Sequence, residues 1–146
     1  MAATRTAEVV WEGSLDEGGG TIESVGSGAV SGLDVTWASR TEEGTQGKTS
    51  PEELIAAAHA SCFNMAFSNV LAKAGTPPEH LSTAVTVTFV PGTGITKSAI
   101  DVVGSVPGTD EEAFRQAAEQ AKESCPVSGA LKGNVELTVT ARLEAS

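Results

Sequence analysis

Alternating apolar and polar positions in the first third of the chain predict short β-strands. The pattern is clearest at the start, where Ala7, Val9 and Trp11 share one face of an extended segment. Turn residues such as the glycines that end Asp16–Gly20 separate the segments. Strands are therefore predicted over Thr6–Gly13, Thr21–Val30 and Asp34–Ser39, followed by a polar loop over Thr41–Thr49.

A long helix is predicted to begin at Pro51, after this loop. Ser50 can cap its first turn, proline suits the first helical position, and Glu53 completes a capping box. The helix-forming run continues to Ala74 and is apolar on almost every face, with several alanines. We therefore expect a buried helix whose small residues allow another backbone to approach closely.

The second half of the chain contains strands and a surface helix. The last strand is the most regular, because apolar residues from Val135 to Leu143 alternate with polar ones. Strands are predicted around Val85–Phe89 and Ile95–Val106, a helix from Thr109 to about Ser124, and a short helical turn over Val127–Leu131. The order βββ-α-ββ-α-β predicts an α+β fold in a single domain over residues 1–146.

Composition and charge exclude several classes of function. Nine Lys and Arg against 19 Asp and Glu give a net charge of −10, which argues against nucleic acids and anionic membrane surfaces as partners. We expect no membrane span, because no run of about 18 consecutive apolar residues is present. The first twelve residues lack the apolar core of a secretory signal, so we expect a cytoplasmic protein.

The two cysteines are the main candidates for chemistry. They are too few for a disulfide scaffold and lack the spacing of a zinc site, so each is either a buried apolar residue or a reactive thiol. Cys125 precedes Pro126 at a helix start, where backbone N–H groups favour a thiolate. Cys62 lies deep in the long helix, where burial raises a thiol pKa, so its reactivity requires a nearby cation. Arg40, paired with Glu52 or Glu53, is the candidate cation.

His59 leaves other functions open. It precedes Cys62 by one helical turn, as in a Cys–His acyl-transfer enzyme, although a packed histidine also fits the pattern. A noncatalytic redox sensor or binding dimer, and a structural dimer with inert thiols, are the remaining alternatives.

The motifs around the cysteines resemble those of a known family. PEELIAAAHASCF at Pro51–Phe63 and CPVSGALKG at Cys125–Gly133, together with TAEVVWEG at Thr6–Gly13, resemble the OsmC/Ohr family of peroxidases, and the OsmC branch in particular. The two cysteine motifs are specific as a pair. The resemblance implies an intertwined homodimer, with two long central helices packed together and sheets wrapped around them.

The same resemblance implies an activity and a set of site residues. The activity is thiol-dependent reduction of organic hydroperoxides, and of hydrogen peroxide less well, in oxidative or osmotic stress defence. Cys62 corresponds to the peroxidatic cysteine, Cys125 to the resolving cysteine, Arg40 to the activating arginine and Glu52 to the carboxylate that holds it. No metal or organic cofactor is implied, but an external thiol or dithiol must reduce the Cys62–Cys125 disulfide.

Overall fold

The structure is a computed structural model that describes residues 2–43 and 47–144. The chain forms two compact units, Met1–Leu54 and Ile55–Ser146. The elements are β1 (Ala7–Glu12), β2 (Gly19–Val25), β3 (Leu33–Val35), α1 (Trp37–Thr41), β4 (Lys48–Thr49), α2 (Pro51–Lys73), β5 (His80–Val90), β6 (Gly94–Ser105), α3 (Glu111–Ser124), α4 (Pro126–Leu131) and β7 (Glu136–Leu143). The predicted α+β class is confirmed, while the single domain over residues 1–146 stays a prediction.

The first unit is a four-stranded sheet in the order β1-β2-β3-β4. Strands β1, β2 and β3 are antiparallel neighbours. The strand predicted over Asp34–Ser39 is wrong after Val35, because the chain turns into helix α1. Thr36 and Ser39 form a reciprocal capping box there, and these side-chain hydrogen bonds outweigh the strand propensity of Trp37.

The predicted loop over Thr41–Thr49 also contains a short strand. Its last two residues form β4, which pairs in parallel with β3 through Asp34↔Lys48 and Val35↔Thr49. Residues 44–46 of that loop lie outside the described residues. The local sequence does not predict strand β4, because these two residues form a strand only through their pairing with β3.

Helix α2 begins at Pro51 as predicted, but only the Ser50 half of the predicted capping box is found among the described hydrogen bonds. The backbone N–H of Glu53 donates to Ser50 Oγ at 3.1 Å, and the Glu53 carboxylate accepts from Thr49 Oγ1 at 2.9 Å. By length and mean hydropathy alone α2 could cross a membrane, with a mean of 1.3, contrary to our expectation from uninterrupted apolar runs. Its buried His59 hydrogen-bonds to two serines of the second unit, which is typical of the core helix of a folded domain.

The second unit packs helices on a three-stranded sheet in the order β5-β6-β7. Strands β5 and β6 are antiparallel, and β7 runs parallel to β6. Phe67 of α2 lies at the centre of the core, with its ring centroid 5.3 Å from that of Phe63 and 4.9 Å from that of Phe114 on α3. The core residues of this unit are Phe63, Phe67, Leu71, Ile100, Val102, Val106, Phe114, Ala118, Ala121, Cys125 and Ala141.

Helix α3, predicted from Thr109, begins at Glu111 and is capped by Asp110, whose carboxylate accepts from the N–H of Ala113 at 2.8 Å. It ends at Ser124, and Pro126 begins α4 at once. Cys125 is therefore both the C-cap of α3 and the N-cap of α4, with extended backbone angles (φ −67°, ψ 122°). Two helix ends thus hold this thiol against the core.

Candidate active site

The second unit brings the two cysteines together. Cys62 on α2 and Cys125 at the α3–α4 junction are 63 positions apart in sequence, yet Cys62 packs against the core cluster that contains Cys125, and each thiol shifts the pKa of the other. Both are free thiols, with Cys125 buried at 1% exposure and Cys62 partly buried. The pairing implied by the resemblance is therefore compatible with the fold of this unit.

The surroundings of Cys125 favour its thiolate. Burial raises the pKa of the Cys125 thiol, but the nearby Ser128 N–H, the Cys62 thiol, the Ser128 hydroxyl and the Val127 N–H outweigh burial and lower it overall. The sulfur makes no full capping hydrogen bond. The lowered pKa agrees with the expectation that a cysteine preceding Pro126 at a helix start is acidic.

The surroundings of Cys62 have the opposite effect. Burial raises the pKa of the Cys62 thiol, a hydrogen bond from the Val127 N–H lowers it in part, and donation to Cys125 together with the charge of that sulfur raises it further. Within this unit, Cys125 is thus the sulfur that ionises first. A thiolate at Cys62 needs a cation, as the position of Cys62 in the middle of a helix indicated.

The first unit holds the predicted cation and carboxylate as an ion pair. Arg40 Nε donates to Glu52 Oε1 at 2.8 Å, and Arg40 Nη2 lies 2.8 Å from the same oxygen as an ion pair. Arg40 lies in α1 and Glu52 in the first turn of α2, so the Thr36 cap that begins α1 also sets the position of the guanidinium. Of the two carboxylates left open by sequence spacing, Glu52 pairs with Arg40, whereas Glu53 accepts from Thr49.

One oxygen of this carboxylate is unoccupied by protein. Glu52 is 6% exposed, and its Oε2 has no hydrogen-bond partner among the described residues. A buried carboxylate oxygen without a donor is costly. Glu52 Oε2 is therefore free to accept a hydrogen bond from a bound molecule or from another chain.

An apolar cavity of about 290 Å³ adjoins the guanidinium within the first unit. The Arg40 guanidinium also lies over the Trp37 ring, 6.0 Å from its centroid. The cavity is lined by Val9, Trp11, Leu15, Gly20, Ile22, Val35, Thr36, Trp37, Arg40, Pro51 and Leu54. It combines an apolar wall with one cationic group, which suits an uncharged organic molecule that has a polar end.

His59 is held by two serines that the sequence did not single out. Its Nδ1 lies 2.7 Å from Ser98 Oγ on β6, and its Nε2 lies 2.8 Å from Ser128 Oγ on α4. Both ring nitrogens are occupied, so His59 does not pair with Cys62 as an acyl-transfer dyad requires. Ser128 belongs to the CPVS motif, but Ser98 shows no signal within its strand, because only the sheet brings it to the helix.

The four predicted site residues thus form two pairs, Arg40 with Glu52 in the first unit and Cys62 with Cys125 in the second. Their catalytic roles stay predictions. Among residues 2–43 and 47–144, no three His, Cys, Asp or Glu side chains form a potential metal site. The expectation that no cofactor is needed also stays a prediction.

Comparison with known proteins identifies the family. The family model described as OsmC-like protein matches residues 44–140. Peroxiredoxin OsmC of Escherichia coli (strain K12) is 39% identical over 140 residues, which cover 94% of this chain and 96% of that relative. The chain belongs to the OsmC-like protein family. The resemblance inferred from the cysteine motifs is therefore confirmed.

Other OsmC-like proteins extend the comparison. An organic hydroperoxide resistance protein of Xanthomonas axonopodis pv. citri is 34% identical over 96 residues, which cover 63% of this chain and 66% of that protein. The crystal structure of an organic hydroperoxide resistance protein OsmC from Legionella pneumophila matches with a TM-score of 0.66, covering 99% of this chain and 100% of that one. At 24% identity, this match shows that the OsmC-like fold is shared.

Proposed function

We propose that this protein is a thiol-dependent peroxidase that reduces organic hydroperoxides, and hydrogen peroxide less well, in defence against oxidative or osmotic stress. The observation that carries the proposal is the proximity of Cys62 and Cys125. The stability of the fold does not require two thiols 63 positions apart in sequence to lie close together. Relatives named peroxiredoxin and organic hydroperoxide resistance protein support it.

The first half-reaction oxidises Cys62. Its thiolate attacks one oxygen of the hydroperoxide, an S–O bond forms, and the O–O bond breaks. The leaving alkoxide takes a proton and departs as the alcohol, which leaves a sulfenic acid on Cys62. The peroxide is thereby reduced by two electrons, and the sulfur is oxidised by two.

The second half-reaction forms the disulfide. The Cys125 thiolate attacks the sulfur of the Cys62 sulfenic acid, the S–O bond breaks, and the leaving hydroxide takes a proton to become water. An external thiol or dithiol then reduces the disulfide and is itself oxidised. This cycle requires no metal or organic cofactor, and it suits a reducing cytoplasm, where we place the protein.

Arg40 and Glu52 would serve the first half-reaction. A guanidinium stabilises a thiolate and the negative charge that develops on the departing oxygen. Glu52 Oε1 fixes the guanidinium by accepting the Nε hydrogen bond and pairing with Nη2, which leaves Oε2 to accept a hydrogen bond from the hydroperoxide. The apolar cavity beside Arg40 is the candidate site for the organic part of the substrate.

We also propose that the protein acts as a homodimer. Helix α2 exposes a stripe of small and apolar residues, Ala57, Ala58, Ser61 and Met65, and Met65 is 74% exposed. Ser61 lies three or four residues from each of the other three, so the four residues share one helix face. An unpaired apolar face on a 23-residue helix suits a second copy of the same helix, which its small residues would let approach closely.

Sedimentation velocity tests the dimer. Ala58→Arg introduces a charge into this stripe and is expected to shift the protein towards monomer. Ala113→Arg, at an exposed alanine on α3, is the matched control and should leave the mass unchanged. A monomeric wild-type protein, or equal behaviour of the two variants, would contradict the dimer at this face.

Peroxide consumption with dithiothreitol tests the activity. Wild type, Cys62→Ser and Cys125→Ser are compared with cumene hydroperoxide and with hydrogen peroxide. We expect the wild type to prefer the organic peroxide and Cys62→Ser to be inactive. Cys125→Ser should complete one turnover and then accumulate sulfenic or overoxidised Cys62, detectable by mass spectrometry.

A different result would favour another function. If the fully reduced wild type consumes peroxide no faster than Cys62→Ser, the peroxidase proposal fails. Formation of a Cys62–Cys125 disulfide without turnover would then indicate a redox sensor. Slow reaction of both thiols with a neutral thiol reagent would indicate inert, structural cysteines.

A further inference from the structure

Three buried polar side chains from three elements form a continuous chain of hydrogen bonds in the second unit. His59 on α2 and Ser98 on β6 are each 0% exposed, and Ser128 on α4 is 2% exposed. Imidazole Nδ1 lies 2.7 Å from Ser98 Oγ, and Nε2 lies 2.8 Å from Ser128 Oγ. Burying three polar side chains costs free energy unless they are hydrogen-bonded to one another, so these hydrogen bonds are needed to keep the three side chains in the core.

This chain continues to a cysteine. Ser128 is the third residue of α4, and Cys125 is the N-cap of the same helix. The side chain of a third helical residue reaches back to the N-cap position, as in a capping box. The Ser128 hydroxyl accordingly lies close enough to the Cys125 sulfur to lower the pKa of that thiol, as the Cys62 thiol also does.

The direction of the hydrogen bonds follows from the chemistry of the groups. Burial lowers the pKa of His59, so its ring is neutral, with one N–H donor and one bare nitrogen acceptor. Ser98 is fully buried, and among the described residues its hydroxyl has Nδ1 of His59 as its side-chain partner. If Ser98 donates to Nδ1, the ring proton is on Nε2 and is donated to Ser128 Oγ. The Ser128 proton then remains free for the sulfur.

We propose that His59 is a positioning residue, which turns the hydroxyl proton of Ser128 towards the sulfur of Cys125 through the directed chain Ser98→His59→Ser128→Cys125. The hydrogen bonds at this ring and at this sulfur, within the described residues, come from hydroxyls, backbone amides and the Cys62 thiol. No charged side chain takes part in them, so the direction of the chain decides whether the Ser128 hydroxyl adds to the stabilisation that the backbone N–H groups and the Cys62 thiol give the thiolate.

This inference rests on the proposed peroxidase activity only for the role of His59 in turnover. There, the Cys125 thiolate attacks the Cys62 sulfenic acid, the S–O bond breaks, and the hydroxide leaves as water after taking a proton. A hydroxyl that donates to Cys125 keeps the attacking sulfur ionised until this step. His59 therefore serves resolution of the sulfenic acid, without contact to the peroxide.

The first test reads the tautomer of His59 by ¹⁵N NMR of the reduced full-length protein. The chain has only two histidines, so His80→Gln, at an exposed position, leaves a single imidazole signal. We expect a neutral ring with the proton on Nε2 and a bare Nδ1. A proton on Nδ1 would overturn the proposal, because the Ser128 proton would then be donated to His59 and not to Cys125.

The second test reads the ionisation of Cys125 by the ultraviolet absorbance of its thiolate. A Cys62→Ala parent leaves one thiol, and the chain has no tyrosine to interfere. Adding Ser128→Ala should lower the thiolate fraction about tenfold at a pH below both pKa values, because a hydrogen bond to a charged sulfur is lost. Ser128→Thr, which keeps the hydroxyl, should titrate like the parent. Equal titration of Ser128→Ala and the parent would overturn the proposal.

The same titration isolates the role of His59. His59→Phe should raise the Cys125 pKa when Ser128 is present and have no further effect when Ser128 is alanine. An equal shift in both backgrounds would show that His59 acts without Ser128, and would refute the positioning role. If the His59→Phe variant does not fold, the NMR measurement of the His59 tautomer still tests the proposal. None of these readouts uses peroxide, so failure here is distinct from failure of the peroxidase proposal.

Discussion

Replacing Glu52 by glutamine tests the ion pair on which the proposed activation of Cys62 depends. Arg40 Nε donates to Glu52 Oε1 at 2.8 Å, Arg40 Nη2 lies 2.8 Å from the same oxygen, and Glu52 is 6% exposed. Glu52→Gln keeps the shape and one acceptor oxygen but removes the charge. The guanidinium would then lose the partner that fixes its orientation.

The energetic cost can be estimated from the geometry. Two unit charges about 4 Å apart attract by about 4 kcal/mol at an effective dielectric constant of about 20. The Arg40 side chain is 29% exposed, so solvent screens part of this attraction, and the glutamine oxygen recovers some hydrogen bonding. We therefore expect Glu52→Gln to lower the free energy of unfolding by about 2 kcal/mol.

The effect on activity should exceed the effect on stability. A misplaced electrostatic donor typically costs a factor of about 10²–10³ in rate, so Glu52→Gln should lower kcat/KM with cumene hydroperoxide at least tenfold at a temperature where the variant is folded. Glu53→Gln is the matched control, since Glu53 is the next residue and is exposed, and its side chain hydrogen-bonds only to Thr49 among the described residues. Urea unfolding and initial rates are measured for both variants. Equal rates for Glu52→Gln and Glu53→Gln would refute the role of the ion pair.

Two further predictions concern the second unit. Because burial lowers the pKa of His59, the unfolded chain binds a proton more readily than the folded one, so stability should fall as pH drops below about 6.5. Thermal unfolding of His59→Phe should lose part of this pH dependence, whereas that of His80→Gln, at an exposed site, should retain it. Gly104→Ala should destabilise by about 1–3 kcal/mol, because its Cβ would lie 2.8 Å from Phe114 Cζ. Gly129→Ala, which meets no atom within 4 Å, should be neutral or slightly stabilising in a urea titration, and equal effects at the two glycines would contradict the packing argument.

Local sequence signals predicted most of the elements correctly. The start of α2 was readable from Ser50, Pro51 and Glu53 because capping is a matter of side chains within one turn. The strand assigned through Ser39 was wrong because the Thr36 cap competes with strand propensity, and propensity alone does not decide between them. Strand β4 escaped prediction for a different reason, since its two residues exist as a strand only through pairing with β3.

Sequence motifs and periodicity were enough to predict the family, the α+β class and the candidate site residues, because these signals depend on residues close together in the chain. The fold was needed to show that Ser98, His59 and Ser128 meet in the core. It also brings Cys62 close to Cys125, as the resemblance to the OsmC/Ohr family implied. Contacts between residues so far apart in the chain depend on how the sheet and helices pack, and no local pattern records that packing.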